Sequence, residues 1–133
     1  MTTQYLNDNY CFHDSTIVRI DYDNTKGMCD MDIVLCNCMQ NGYTDSTPDL
    51  SLITLRFFGV KDFYAEEYGE DSKKKRITDF DKAPKNEDIM STNYRRGQLS
   101  FLCQSFDEQY RTYRVTCEDV EVTVITPAYR WED

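Results

Sequence analysis

Histidine is almost absent from this sequence: His13 is the single imidazole in a chain of 133 residues. A metal site built from several histidines is therefore excluded, and a Ser-His-Asp triad would have to use this one residue. No convincing nucleophile and orienting acid accompany it. Asp14 would point to the opposite side of an extended segment, and residues as close in the chain as His13 and Ser15 rarely form a working dyad. We predict that the protein is not an enzyme and that it has no catalytic residues.

Glycine runs and long apolar runs are also missing. The five glycines are scattered singly, so there is no glycine-rich phosphate loop, and no G-x-S-x-G nucleophile turn occurs. Charged residues interrupt every apolar cluster before it reaches the length of a membrane span, and the first residues lack the features of a secretory signal. We therefore predict a soluble, cytoplasmic protein with no membrane partner.

Basic residues are outnumbered, since 15 Lys and Arg against 24 Asp and Glu give a formal net charge of −9. A chain with this balance repels phosphate backbones, so we predict no nucleic-acid partner. An acidic surface instead favours encounter with a basic protein, although the same charge is also explained by solubility alone.

The cysteines do not form a recognisable framework. Cys36 and Cys38 form a C-x-C pair rather than C-x-x-C, and a four-cysteine zinc site completed by Cys103 and Cys117 would lack paired knuckles. We predict buried or free thiols, with no disulfide, no metal and no cofactor. The six cysteines are Cys11, Cys29, Cys36, Cys38, Cys103 and Cys117.

Alternating apolar and polar residues predict strands through most of the chain. The chain length suits one domain over residues 1–133. We predict a mainly β fold, α+β at most: an antiparallel sandwich or half-open barrel of about six strands, whose open edges would permit a monomer or a weak dimer. The inward-facing residues have odd numbers up to Cys117 and even numbers from Val120. This change predicts either a turn at Glu118-Asp119 or a bulge in one long strand. The predicted strands cover residues 16–22, 28–38, 50–58, 98–106, 110–117 and 120–124.

The stretch 64–94 is predicted as an excursion from the sheet, with a charged loop and one or two helical turns around residues 86–92. It holds the densest acidic patch, and loops on a rigid scaffold often carry recognition residues. The alternative is a solvated loop that the neighbouring residues 73–76 neutralise. The predicted partner-binding residues are Glu66, Glu67, Tyr68, Glu70 and Asp71.

A structural motif is predicted before the first strand, where Phe12 and His13 precede Asp14. Asp14 and Ser15 can bond nearby backbone N–H groups, and His13 can anchor a carbonyl or carboxylate in the same corner.

The same segment carries a resemblance. The run 12–17 reads F-H-D-S-T-I, and the third predicted strand ends in Phe57-Phe58-Gly59-Val60. This resembles small bacterial proteins with an N-terminal F-H-D-x-x-I segment and a strand ending F-x-x-V. Some of them are grouped as immunity proteins of polymorphic toxin systems. The resemblance implies a protein that binds and neutralises a cognate toxin.

We accordingly predict a non-enzymatic protein-binding protein whose partner is a basic toxin. The alternative is a β-barrel or sandwich that binds a small molecule or carbohydrate, because 17 Phe and Tyr residues could line a cavity. An interior filled by side chains favours the first function, and a roomy aromatic pocket favours the second.

Overall fold

The computed structural model describes residues 1–68, 74–80, 85–105 and 109–131. Within these ranges the protein is mainly β, with one short helix, α1 (Thr3–Asn9), and a 3₁₀ turn (Asn37–Met39). The longest helix in this part of the chain has seven residues, and none could cross a membrane.

The strands form one open antiparallel sheet, in the order β5-β4-β8-β7-β6-β1-β2-β3-β9. The prediction of a mainly β, antiparallel fold is confirmed. The described residues form nine strands in one open sheet, whereas we predicted about six in a sandwich or half-open barrel. Three strands lie in the stretch predicted as a charged excursion, where backbone pairing holds sequences with few apolar residues. The strands are β1 (Thr16–Asp23), β2 (Met28–Cys36), β3 (Leu50–Phe58), β4 (Asp62–Tyr68), β5 (Lys74–Ile77), β6 (Glu87–Arg95), β7 (Gln98–Ser105), β8 (Tyr110–Thr116) and β9 (Asp119–Thr126).

The helical turns predicted around residues 86–92 were wrong, because this segment begins β6. Ile89 is fully buried and pairs with Cys103 of β7, and the register shifts between Ile89 and Ser91. The extra residue is Met90. It places two apolar side chains next to each other and interrupts the alternation that marks a strand.

A bent two-stranded ribbon connects the two ends of the sheet order. β3 continues into β4 and β8 continues into β9, with Phe58 opposite Asp119 and Asp62 opposite Thr116. The bend lies between these pairs, where Lys61 N–H bonds the Thr116 carbonyl at 2.8 Å. The change from odd to even inward-facing residues near residue 118 is thus an irregularity in one long ribbon and not a hairpin turn, because β9 pairs with β3 rather than with β8.

Gly59 makes this bend possible. Its φ of +58° is unfavourable for residues with a Cβ atom, and a Cβ added there would come within 2.7 Å of the Glu118 side chain. The Glu118 N–H in turn donates to the Phe58 carbonyl at 3.0 Å. The ribbon therefore bends at Gly59 while backbone hydrogen bonds join its two strands on both sides of the bend.

The bend brings side chains from distant strands into one core. Phe63 of β4 contacts Tyr22 of β1, with ring centroids 5.2 Å apart, and stacks near Tyr113 of β8 at 6.3 Å. The helix α1, which the sequence analysis did not predict, adds the buried Leu6 and is capped by the Thr2 hydroxyl, which accepts the Tyr5 N–H. Phe12 completes this side of the core by packing edge-on against Phe101.

Candidate functional site

The corner formed by residues 12–15 joins β1 to strand β6. His13 Nδ1 lies 2.7 Å from the Met90 carbonyl oxygen, so this nitrogen donates its proton there. Asp14, at φ +65°, donates its N–H to the Ile89 carbonyl at 3.1 Å. The Ile89 N–H returns a bond to the Ser15 carbonyl at 2.7 Å. These bonds extend the short β1–β6 pairing across the start of the sheet.

The same corner is tied to β2. Ser15 is fully buried, and its hydroxyl accepts the Cys36 N–H at 2.9 Å. This hydrogen bond ties the start of β1 to the end of β2. His13 Nε2 faces Asp14 Oδ1 at 3.5 Å on the exposed side of the corner. Phe12 packs against Phe101 in the core, while His13 and Asp14 bond the carbonyls of Met90 and Ile89 on β6.

A surface groove of about 450 Å³ lies beside His13. It is bordered by α1, by the 3₁₀ turn and by β6, with Tyr10 and Met90 among its apolar residues. Asn7 also lines it, and the Asn7 Oδ1 atom is buried without a hydrogen-bond partner in the described part of the protein. The groove is open to solvent and mixes amide, imidazole and thioether groups.

Glu66 and Glu67, two of the residues predicted to bind a partner, lie on β4, where basic side chains bond both of them. Glu66 Oε1 accepts from Arg114 Nε at 2.5 Å, and its second oxygen lies 3.7 Å from Lys74 Nζ. Glu67 is bonded by Arg111. Tyr68 is exposed at the end of β4, with the Lys74 ammonium 5.8 Å from its ring centroid. Glu70 and Asp71 lie outside the described residues.

A buried charged cluster is the main feature that the sequence analysis missed. Glu87 is only 6% exposed. Its carboxylate accepts from Arg111 Nη1 at 2.9 Å and from the Tyr113 hydroxyl, and Arg111 also bonds Glu67. Burial and the nearby Glu87 charge raise the pKa of Tyr113 well above its ordinary value, so the phenol stays protonated and donates. The sequence does contain a signal for this cluster. Residues two apart in a strand face the same side, so Arg111 faces inward with Tyr113 and Val115 of β8.

The free edge of β9 is the most exposed apolar feature of the sheet. Val124 and Ile125 are 55% and 54% exposed. Val120 exchanges two backbone bonds with Met1, at 2.9 and 3.0 Å, on the side away from β3. Because backbone groups in a strand alternate in direction, the N–H and C=O groups of Val122 and Val124 point to that same open side. The other edge of the sheet, β5, carries Lys74 and Lys75 and is only four residues long.

An acidic face lies next to the β9 edge, on the outer side of β1, β2, β3 and β9. Asp30 stands opposite Asp21 on one side and Arg56 on the other, and Arg56 is opposite Glu121. Arg56 forms a two-pronged bond with Asp30 at 2.7 and 2.8 Å. We define the acidic face by four carboxylates and two guanidinium groups, so its formal charge is negative: Asp21, Asp30, Asp32 and Glu121 with Arg19 and Arg56.

The cysteines are all free thiols. Cys29 and Cys103 are fully buried, and burial raises the pKa of both. Across the ranges that the structure describes, no three His, Cys, Asp or Glu side chains are placed to share a metal ion.

Comparison of the chain with protein-family models, with curated proteins and with solved structures finds no match.

Proposed function

We propose that the protein is a non-enzymatic binding protein that takes an extended segment of a basic partner protein onto the free edge of β9. The observation that carries this proposal is the edge itself, with two apolar side chains more than half exposed and backbone groups directed outward. Strand addition to such an edge forms main-chain hydrogen bonds that give affinity, while alternate side chains give specificity. Natural edges without such a role are commonly blunted by lysines, as β5 is.

The charge around this edge defines the partner. A strand added beside β9 would place every second side chain on the outer side, next to Glu121 and Thr123, and the others next to Val122 and Val124. Lysine or arginine at the outer positions would meet the acidic face. Apolar residues at the inner positions would cover Val124. The expected ligand is therefore a segment in which basic and apolar residues alternate.

The filled interior supports protein binding over ligand binding. Phe57, Phe63, Phe101 and Tyr113 are at most 2% exposed and pack into a single core, so these rings line no cavity. Among the described residues, the grooves lie on the outside of the sheet or beside α1.

An immunity protein for a bacterial toxin is the class that we propose within this function. Its support is the F-H-D-x-x-I resemblance together with the net acidity of the chain. In this proposal the protein acts in the cytoplasm, contacts the toxin and not nucleic acid, and is a monomer or weak dimer until the toxin binds.

The test begins with the gene next to this one, whose product is co-expressed with the protein. A toxic product that the protein neutralises supports the proposal. Val124→Lys should abolish neutralisation, because a lysine on the edge repels a basic strand and resists its burial. Tyr5→Lys is the matched control, since Tyr5 is exposed to a similar degree, at 53%, and lies on the solvent side of α1.

Hydrogen exchange places the contact. Binding should protect the amide groups of Val122 and Val124 and leave those of β5 unchanged. Neutralisation that Val124→Lys leaves intact, with no new protection along β9, would overturn strand addition while leaving the toxin-binding function standing.

A second candidate function is a small-molecule site in the groove beside His13. The specific observation in its favour is the buried Asn7 Oδ1 atom, which needs a donor. A ligand with an N–H or O–H group and a small apolar part would suit the groove. Ligand-induced stabilisation in a thermal-shift screen, lost in Asn7→Ala but retained in Val124→Lys, would favour this function over protein binding.

A further inference from the structure

Two thiols meet at the end of β2. Cys36 is the last residue of this strand and Cys38 lies in the 3₁₀ turn that follows, with their sulfur atoms 3.0 Å apart. A disulfide needs the two sulfurs at about 2.05 Å, so an approach of about 1 Å closes the bond. The two side chains already point at each other.

The backbone around the pair is held in place. The Cys36 N–H donates to Ser15 Oγ at 2.9 Å, and the Cys36 carbonyl accepts from Gln40 Nε2 at 2.9 Å. The residue between the two cysteines, Asn37, is buried and donates to the Pro48 carbonyl and to Ser51 Oγ. These anchors keep the turn, and therefore the two thiols, in one arrangement.

The two thiols differ in exposure. Cys38 is exposed and Cys36 is half-buried. Burial, followed by the hydrogen bond with Cys38, raises the pKa of Cys36 to about 11. An external reagent therefore reaches Cys38 first, and Cys36 is kept as the second thiol. Cys29 and Cys103 are enclosed by the core and are not reachable in the folded protein.

We propose that Cys36 and Cys38 form a thiol–disulfide exchange site that reacts with small disulfides such as oxidised glutathione. In the first step the Cys38 thiolate attacks one sulfur of the small disulfide. The product is a mixed disulfide on Cys38, and one small thiolate leaves. In the second step Cys36 loses its proton to solvent and its thiolate attacks the Cys38 sulfur, which releases the second small thiol.

The exchange balances in atoms and electrons. Two protein thiols are oxidised to one disulfide, and one small disulfide is reduced to two small thiols. The two cysteine protons pass to solvent, the two leaving thiolates take up two protons from solvent, and the two electrons reduce the sulfur–sulfur bond of the reagent.

The experiment is a thiol count and a mass measurement on the full chain. The reduced, denatured protein should show six thiols, since all six cysteines are free. After incubation of the folded protein with oxidised glutathione, the count should fall to four and the intact mass should fall by two hydrogen atoms. Fragmentation should place the new bond within the peptide that contains Cys36 and Cys38.

Single variants separate the two roles. Cys36→Ser should stop at the mixed disulfide and retain one glutathione on Cys38. Cys38→Ser has five thiols and should still show five after incubation, with no glutathione attached. Cys117→Ser, a half-buried thiol elsewhere, is the matched control and should still close the bridge. Circular dichroism confirms that each variant is folded before oxidation.

Two outcomes would overturn the proposal. One is a stable mixed disulfide on Cys38 in the wild-type protein, which would show that Cys36 does not resolve it. The other is a bridge that joins different cysteines, or equal loss of all six thiols, which would show oxidation of an unfolded chain.

Discussion

Replacing Arg111 by methionine tests how far the buried charged cluster holds the sheet together. The guanidinium of Arg111 bonds Glu87 on β6 and Glu67 on β4, two strands on either side of the β8–β7 pair. Methionine keeps an unbranched stem of similar length in the core but removes the charge. The variant therefore leaves two carboxylates facing each other, one of them on the buried Glu87.

The expected cost follows from the burial of the partners. Removing one member of a buried ion pair costs about 3–5 kcal/mol, because the remaining charge is left without compensation. The Arg111 and Glu67 side chains are each 26% exposed, which permits some water to enter. We therefore expect about 3 kcal/mol, at the lower end of that range. This is a large share of the roughly 5–15 kcal/mol that stabilises a typical domain.

The assay is urea unfolding at pH 7, with Arg56→Met as the matched control. Arg56 also makes a two-pronged bond to a carboxylate, but its side chain is 47% exposed. Exposed pairs contribute about 0–1 kcal/mol, so the control should lie within that range. If Arg111→Met costs no more than Arg56→Met, the cluster is not a stabilising core element and the reasoning fails.

A double variant provides a second readout. Adding Glu87→Gln to Arg111→Met should recover part of the loss at pH 7, because the neutral amide removes the uncompensated buried charge. A double variant that recovers nothing would assign the effect to packing rather than to charge.

Two further predictions concern the corner and the buried thiols. His13→Ala should lower the unfolding free energy by about 1 kcal/mol, because it removes the bond to the Met90 carbonyl, and His13→Gln, which keeps a donor, should lose less in thermal unfolding. Burial raises the pKa of Cys29, so the folded protein keeps this thiol protonated at a pH where the unfolded chain ionises it. The contribution of the thiol to the free energy of unfolding is therefore complete below the unfolded pKa of about 8.5 and is lost as the pH rises towards the folded pKa. Unfolding in urea should therefore become easier between pH 8 and pH 10, by roughly 2 kcal/mol for this thiol, and Cys29→Ala should show a smaller decline.

Much of the sheet could be predicted from local alternation. β3 matches its predicted bounds, and the predicted strands that became β1, β2, β7, β8 and β9 begin and end within two residues of the observed ones. In these segments apolar residues fall on one face and charged residues on the other, so a period of two is visible in the letters alone.

The remaining strands could not be predicted in this way because pairing partners, rather than composition, hold them in place. β5 reads Lys74–Ile77 with three basic residues in four, and it is a strand because it pairs with β4. In β6 the irregularity at Met90 breaks the alternation. These segments are extended only in the context of their neighbours, which local sequence does not record.

The candidate site was harder to predict than the fold. Glu66 and Glu67 stand out in the sequence as acidic residues, but their partners Arg114 and Arg111 lie 48 and 44 residues further along the chain. Only the β4–β8 register brings them together. The exposed edge of β9 depends in the same way on strand order, because the sequence does not show which strand lies at the edge of the sheet.

The bent ribbon explains why the proposed binding lies on the outside of this protein. Because β3–β4 and β8–β9 are one ribbon, the two ends of the sheet order are held side by side at Gly59, and their inward residues share one core. Opening a ligand cavity there would separate rings such as Phe63 and Tyr113, and unfilled core volume costs several kcal/mol, of order 2–5 for one large side chain. Binding at β9 requires no such rearrangement, because its backbone groups are already in strand geometry. Met1 already pairs with Val120 on this edge, and in the proposed complex a partner strand would continue the same ladder past Val122 and Val124.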